Sequence, residues 1–201
     1  MTPGAPSRMS LNSALDVLAR RREDQVVVST MTVMAPWGER AGNERDLRCV
    51  GFMGGSSTLG LGVALAKPDV PVWVLDGDGS LAMQLGSLLT IANAAPRRFL
   101  HVVFHNGVYD TSGAQPVLAD ASMSFAKLAE GAGYARAARF EDAETFDAAL
   151  DELLEVDGPV LVELMTQPSG IGYQRRPAAT AETVPAFALN WPAVRDSLAG
   201  A

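Results

Sequence analysis

The residues best placed to do chemistry are Gly77-Asp78-Gly79-Ser80 and Asn106. The first group follows an apolar run, Val70–Leu75, and the asparagine follows the next one, Phe99–Phe104. Glycines at a strand-to-helix turn let backbone N–H groups approach an anion, and Ser80 can cap that helix or donate to a phosphate. Asp78 and Asn106 offer two hard oxygen donors from adjacent strand ends, and a backbone carbonyl in the following turn can add a third. That donor set suits a Mg²⁺ ion that keeps room for diphosphate oxygens and water. A Gly-Asp-Gly turn alone is a common structural device, so the placement of Asn106 at the next strand end carries the reading. The nicotinamide fingerprint G-x-G-x-x-G is not met, because Ala82 stands at its third glycine and no acidic residue closes the next strand. The lysine of a phosphate-binding P-loop is absent as well.

These groups need elements to hold them. Leu11, Ala14, Leu15 and Leu18 recur at helical spacing over Ser10–Arg22, and the closing Arg20, Arg21 and Arg22 suit the negative end of a helix dipole. Val26–Val28 reads as a buried strand running into the polar loop Ser29–Thr32. The pattern continues as helix over Gly54–Lys67, strand Val70–Leu75, helix Ser80–Ala94 and strand Phe99–Phe104. After a polar loop come helix Ser122–Gly131, strand Ala135–Arg139, helix Ala143–Leu154 and strand Val160–Met165. Strands that are apolar on both faces and alternate with helices predict an α/β fold, a doubly wound, mostly parallel sheet covered by helices on both sides. Ligands of such sheets bind at the carboxyl ends of the strands, here at Thr30–Thr32, Asp76–Ser80 and Asn106–Gly113. Residues 1–9 read as a flexible N-terminus, 10–166 as one domain, and 167–201 as a Pro-rich tail with a short helix around Trp191–Leu198.

Composition narrows the class. The 201 residues carry 16 Lys+Arg against 23 Asp+Glu, a net charge of −7, which disfavours a nucleic-acid partner. With 48% hydrophobic and 19% charged residues the chain can bury a core. The single cysteine, Cys49, rules out an intrachain disulfide and a Cys-based zinc cage and fits a cytoplasmic location. No leader-like segment opens the sequence and no apolar stretch is long enough for a membrane helix, so neither secretion nor membrane insertion is expected.

Gly77-Asp78-Gly79-Ser80 with Asn106 resembles the binding motif of the thiamin-diphosphate (ThDP) dependent decarboxylases. The likeness extends to Cys49–Gly55 upstream and to Asn106–Pro116 downstream. It is greatest to the diphosphate-binding, or β, half of the sulfopyruvate and phosphonopyruvate decarboxylases, over residues 10–177. The resemblance implies ThDP and Mg²⁺ as cofactors, with Asp78 and Asn106 ligating Mg²⁺ by side chain and Val108 by its carbonyl. It implies that Thr32, Gly77, Gly79, Ser80 and Tyr109 line the diphosphate end. Gly51 would receive the aminopyrimidine through its carbonyl, and Met53 would lie beneath the thiazolium and hold the cofactor bent. Without that motif Met53 reads as core and Thr32 as a turn cap. Of the histidines, His101 reads as core and His105 as a structural strand-end residue.

The resemblance further implies decarboxylation of a small anionic 2-oxo acid, 3-sulfopyruvate or 3-phosphonopyruvate, with the cofactor ring accepting the electrons. The glutamate that activates the cofactor belongs to a pyrimidine-binding domain, and this chain has no second α/β unit to carry it. A separate α subunit is therefore expected to supply it, in an α2β2 or larger assembly. Substrate contacts from this chain fall to Asp110, Thr111, Ser112 and Gln115; Arg175-Arg176 is a further candidate anion anchor, with a solvated pair as the alternative reading. A split carboligase of acetolactate-synthase type is the alternative within the class, and a non-catalytic scaffold the alternative outside it.

Overall fold

The computed structural model describes residues 8–49, 53–118, 122–169 and 191–199. Its frame is a six-stranded sheet with strand order β2-β1-β3-β4-β8-β7, every pairing parallel. The strands are β1 Val26–Thr30, β2 Asp46–Cys49, β3 Val72–Gly77, β4 Arg98–His105, β7 Arg136–Phe140 and β8 Gly158–Met165. A separate two-stranded ribbon joins β5 Val108–Tyr109 to β6 Gln115–Pro116. The helices are α1 Leu11–Ala19, α2 Met34–Ala41, α3 Ser56–Ala66, α4 Asp78–Ala82, α5 Gly86–Ala94, α6 Phe125–Ala132, α7 Ala143–Leu154 and α8 Trp191–Leu198.

Alternate side chains of each strand enter opposite cores, as the pleat requires. Val26, Val28, Val72, Val74, Phe99, Val103 and Leu161 pack against α3, α5, α6 and α8. Val27, Trp73, Leu75, Leu100, Val102, Phe104, Val160, Val162 and Leu164 pack against α1, α2 and α7. The expected doubly wound α/β architecture is thus present. Its strand order reverses between β1 and β3, and the crevice above that point is where such sheets take ligands.

Several boundaries differ from the sequence reading. The helix expected over Ser80–Ala94 is two helices, α4 and α5. Between them Met83 N–H donates to the Ser80 carbonyl at 3.2 Å and Gln84 N–H to that of Leu81 at 3.0 Å. These i→i+3 bonds tighten the chain and end α4, and Gly86, a poor helix former, then opens a new one. The helix α2 and the edge strand β2 were not expected. Only Trp37 of α2 is fully buried, with Ala41 one turn on packed beside it, so its apolar stripe is short, and β2 has four residues. The arginines after α1 do not simply complement its dipole: Arg20 and Arg21 pair with Asp147 and Asp151 of α7, and Arg22 with Asp46. Met9, expected in a loose terminus, is buried and forms a parallel bridge with Thr166, because its N–H donates to the Met165 carbonyl at 3.0 Å.

Candidate cofactor and metal site

The carboxyl ends of β1, β3, β4 and β8 meet in one cleft lined by Thr30, Thr32, Asp78, Asn106, Asp110 and Thr166, among others. Asp78 opens α4 and is almost fully buried. Its Oδ1 accepts the Gly79 N–H at 2.7 Å and its Oδ2 the Gly107 N–H at 2.6 Å. Asn106 follows directly on β4, and its Oδ1 accepts the Val108 N–H at 2.9 Å. Gly107 takes φ = +80° to make this turn, a conformation natural only to glycine.

Ser80 joins this end to the loop before α3: its Oγ accepts the Gly54 N–H at 2.9 Å, and its O–H proton remains a donor. Gly54, at φ = +82°, follows Met53, which lies on the cleft wall. Gly79 lies against the Tyr109 ring so closely that an added Cβ would fall 2.4 Å from Cε1. An added Cβ at Gly77 would meet nothing within 4 Å, so the backbone there stands open. Thr30 ties β1 to β2 by donating from Oγ1 to the Cys49 carbonyl at 3.1 Å.

Two buried networks support these strand ends. Asp76 accepts the Gly77 N–H on Oδ1 at 2.9 Å, while its Oδ2 lies 3.4 Å from His101 Nε2. His101 Nδ1 in turn lies 3.3 Å from the Tyr134 hydroxyl, which burial, followed by the charge of Asp76, pushes up well above the ordinary phenol range. Burial also pushes the Cys49 thiol up to about 12, helped by Asp76, so this cysteine stays a thiol. Behind β4, His105 Nδ1 is 2.7 Å from Glu163 Oε1, and Glu163 Oε2 accepts from Ser124 Oγ at 2.9 Å and the Ala126 N–H at 3.1 Å. Burial works against the Glu163 charge, but the bonds from His105, Ala126 and Ser124 together prevail and hold it below its usual 4.5. Both histidines are fully buried, His101 in the core and His105 against Phe125, as a structural reading requires.

The structure thus brings together Thr32, Met53, Gly77, Asp78, Gly79, Ser80, Asn106, Val108, Tyr109, Asp110 and Thr111 on one cleft. Ser112 and Gln115, expected beside the substrate, are exposed and absent from that wall. Gly51 and Arg175-Arg176 lie outside the described residues. The contribution of β8 went unread in the sequence: Thr166, Gln167 and Ser169 also line the cleft. The signal was available, since a strand parallel to β4 must end on the same edge.

The donor set can be tested against its expected occupant. Among the described residues no Lys, Arg or His lines the cleft. A diphosphate bound there has to be met by a cation and by N–H and O–H donors. The Asp78 carboxylate and the Asn106 and Val108 carbonyls are hard oxygen donors of the kind Mg²⁺ takes, and the open backbone at Gly77 suits close approach by an anion.

Comparison with known proteins gives the family. Residues 37–164 match the family model described as thiamine pyrophosphate enzyme, C-terminal TPP binding domain. The chain belongs to the thiamine pyrophosphate enzyme family. As a TPP-binding domain of this family it takes ThDP as cofactor, and Mg²⁺ is the typical family cation. It is 41% identical over 131 residues to a phosphonopyruvate decarboxylase of Streptomyces viridochromogenes, covering 65% of this chain and 32% of that protein. It is 38% identical over 124 residues to the sulfopyruvate decarboxylase subunit beta of Methanothermobacter thermautotrophicus, covering 62% of this chain and 63% of that one. The chain therefore spans about a third of the phosphonopyruvate decarboxylase and somewhat under two thirds of the beta subunit. Among solved structures, the ThDP-dependent 4-hydroxybenzoylformate decarboxylase of Rhodococcus jostii superposes with a TM-score of 0.68 at 22% identity, covering 83% of this chain and 34% of that one, a likeness of fold. Among the described residues no helix is long and apolar enough to cross a membrane.

Proposed function

We propose that this chain is the diphosphate- and Mg²⁺-binding subunit of a ThDP-dependent decarboxylase acting on 3-sulfopyruvate or 3-phosphonopyruvate. Asp78, Asn106 and the Val108 carbonyl hold Mg²⁺, and Gly77, Gly79, Ser80 and Thr32 receive the diphosphate. Gly51 and Met53 serve the pyrimidine and thiazolium ends. The observation that carries this is the cleft itself, two strand-end oxygen donors held by backbone N–H groups with no cationic side chain beside them among the described residues. The names of the relatives supply the substrate class.

When bound, ThDP supplies the electron sink that lets CO2 leave a 2-oxo acid. In the net reaction the bond between the carboxylate carbon and the keto carbon breaks, and a proton takes the place of the carboxylate to give an aldehyde. The chain's own residues anchor and orient. Asp78 fixes the cation relative to both turns through Gly79 and Gly107, and the Gly79–Tyr109 contact holds the ribbon β5–β6 over the turn after β3.

A separate α subunit completes the site. The described walls offer oxygen and N–H donors for one end of a cofactor. The clamp for a sulfonate or phosphonate group is left to cationic side chains beyond the described walls, in the partner or at Arg175-Arg176. Recovery of the tagged chain from its own cells, followed by incubation with each 2-oxo acid, tests the proposal. Expected are a second chain in the complex and release of CO2 and the aldehyde. Failure of the complex to bind ThDP with Mg²⁺, or a coupled hydroxyketone product, would overturn it.

A further inference from the structure

Asp110 carries more than its position in a loop suggests. It opens a 3-10 turn, Asp110–Ser112, directly after β5, yet it is only 6% exposed. Its Oδ2 accepts the Asn106 Nδ2–H at 2.9 Å and the Ser169 N–H at 3.0 Å. Its Oδ1 is buried with no hydrogen-bond partner among the described residues, and the residue lines the cleft.

The bond from Asn106 decides the orientation of its amide. Asp110 Oδ2 accepts there, so the face of the Asn106 amide turned to Asp110 is its NH2. The carbonyl Oδ1 is thereby turned the other way, where it meets the Val108 N–H. Without Asp110 the amide could rotate and present N–H groups to the cation. The bond to Ser169 fixes Asp110 in turn, tying the turn after β5 to the chain that leaves β8. The second oxygen is the unusual one. A buried carboxylate oxygen without a donor is unfavourable, so a bound group that brings a donor would relieve it. A sulfonate or phosphonate group brings no such donor. Mg²⁺ usually keeps several waters, and a water held by the cation is a donor of the right polarity.

We propose that Asp110 is a positioning residue of the metal site: Oδ2 locks the Asn106 amide with its carbonyl toward the cation, and Oδ1 accepts from a water the cation holds. This rests on the Mg²⁺–diphosphate reading above. Carboxylates that orient metal ligands typically govern affinity by about 10–100-fold.

The test is calorimetric titration of Mg²⁺ in saturating ThDP on the full chain in its native complex, for wild type, Asp110→Ala and Asp110→Asn. The alanine variant should bind Mg²⁺ about 10–100-fold more weakly. The asparagine variant keeps an amide oxygen for Asn106 and Ser169 but puts NH2 in place of Oδ1, so it should also weaken Mg²⁺. Wild-type affinity in Asp110→Asn would overturn the role of Oδ1, and wild-type affinity in both would overturn the whole. A second readout needs no cofactor: in ¹⁵N NMR of the unloaded chain, the Asn106 side-chain amide should exchange slowly in wild type and fast in Asp110→Ala. Fast exchange in wild type overturns the lock. Wild type that binds no ThDP with Mg²⁺ would defeat the reading of the site and with it the role of Oδ1, while slow Asn106 exchange would still support the lock.

Discussion

The Asp78 carboxylate accepts the backbone N–H of Gly107 at 2.6 Å, and so fastens the turn after β3 to the turn after β4. The proposed metal ligands Asp78 and Asn106 stand on those two turns, so the spacing between them is set by a bond internal to the protein. The cation then meets donors already in place.

Both oxygens of Asp78 face N–H groups, Gly79 on one side and Gly107 on the other. Asp78→Asn therefore turns an NH2 against one of these donors whichever way the amide lies. The variant should lose at least about 100-fold in Mg²⁺-dependent ThDP affinity, beyond the typical effect of a supporting residue. It should also destabilise the unloaded chain by about 1–3 kcal/mol. Calorimetry reads the first effect and urea denaturation the second, and a variant as stable as wild type would contradict the bonding described.

Gly79 and Tyr109 are expected to be energetically coupled. The methyl of Gly79→Ala would lie 2.4 Å from the tyrosine ring, so the ring or the turn must move, at about 1–3 kcal/mol for overpacking. In Gly79→Ala/Tyr109→Ala that conflict disappears, and the double variant should be more stable than the sum of the single effects. Additive effects in a double-mutant cycle would show that the contact carries no strain.

Glu163 predicts a component of acid sensitivity. Its folded-state value lies below the ordinary 4.5, despite burial, because of the bonds from His105, Ala126 and Ser124. A depressed carboxyl stabilises the fold fully above 4.5 and loses that contribution as pH falls through the lower folded value. Glu163→Gln should be less stable than wild type at pH 7, by about 1–3 kcal/mol, and the gap should narrow below pH 4.5. Melting curves across that range check it, and a gap independent of pH would refute the assignment.

His101→Leu should act on stability first. It leaves the Asp76 Oδ2 and the Tyr134 hydroxyl without the partner that stands between them, a loss of about 1–3 kcal/mol. Because Asp76 Oδ1 also holds the Gly77 N–H, ThDP affinity should fall in the same variant. Tyr134→Phe should give a smaller loss of stability and unaltered ThDP binding, as seen by thermal melting and calorimetry.

The layout of the fold was largely legible, because short apolar runs such as Val26–Val28 and Val160–Val162 are buried on both faces in a helix-covered parallel sheet. Gly77–Ser80 and Asn106 were legible as a site because strand ends of such a sheet share an edge. What escaped were features decided by tertiary contact. Trp37 and Ala41 give α2 a stripe of only two residues, too short to stand out in the sequence, and the break after Ala82 follows from tight turns that no single residue announces. The difference between Asp110 and its neighbours Thr111 and Ser112 lies in burial and in the bond from Ser169, far away in sequence.

None of the neighbouring strands in the six-stranded sheet is joined by a hairpin; each parallel rung closes across an intervening crossover. The entropy of closing those loops must be met before the first rungs reward it, which slows folding and prolongs the exposure of apolar strands. β4 and β8, which form the longest register in the sheet, are separated by β5, β6, α6, β7 and α7. The two walls that carry Asn106 and Thr166 therefore meet across the widest connection between paired strands, and their closure carries the largest share of that loop entropy.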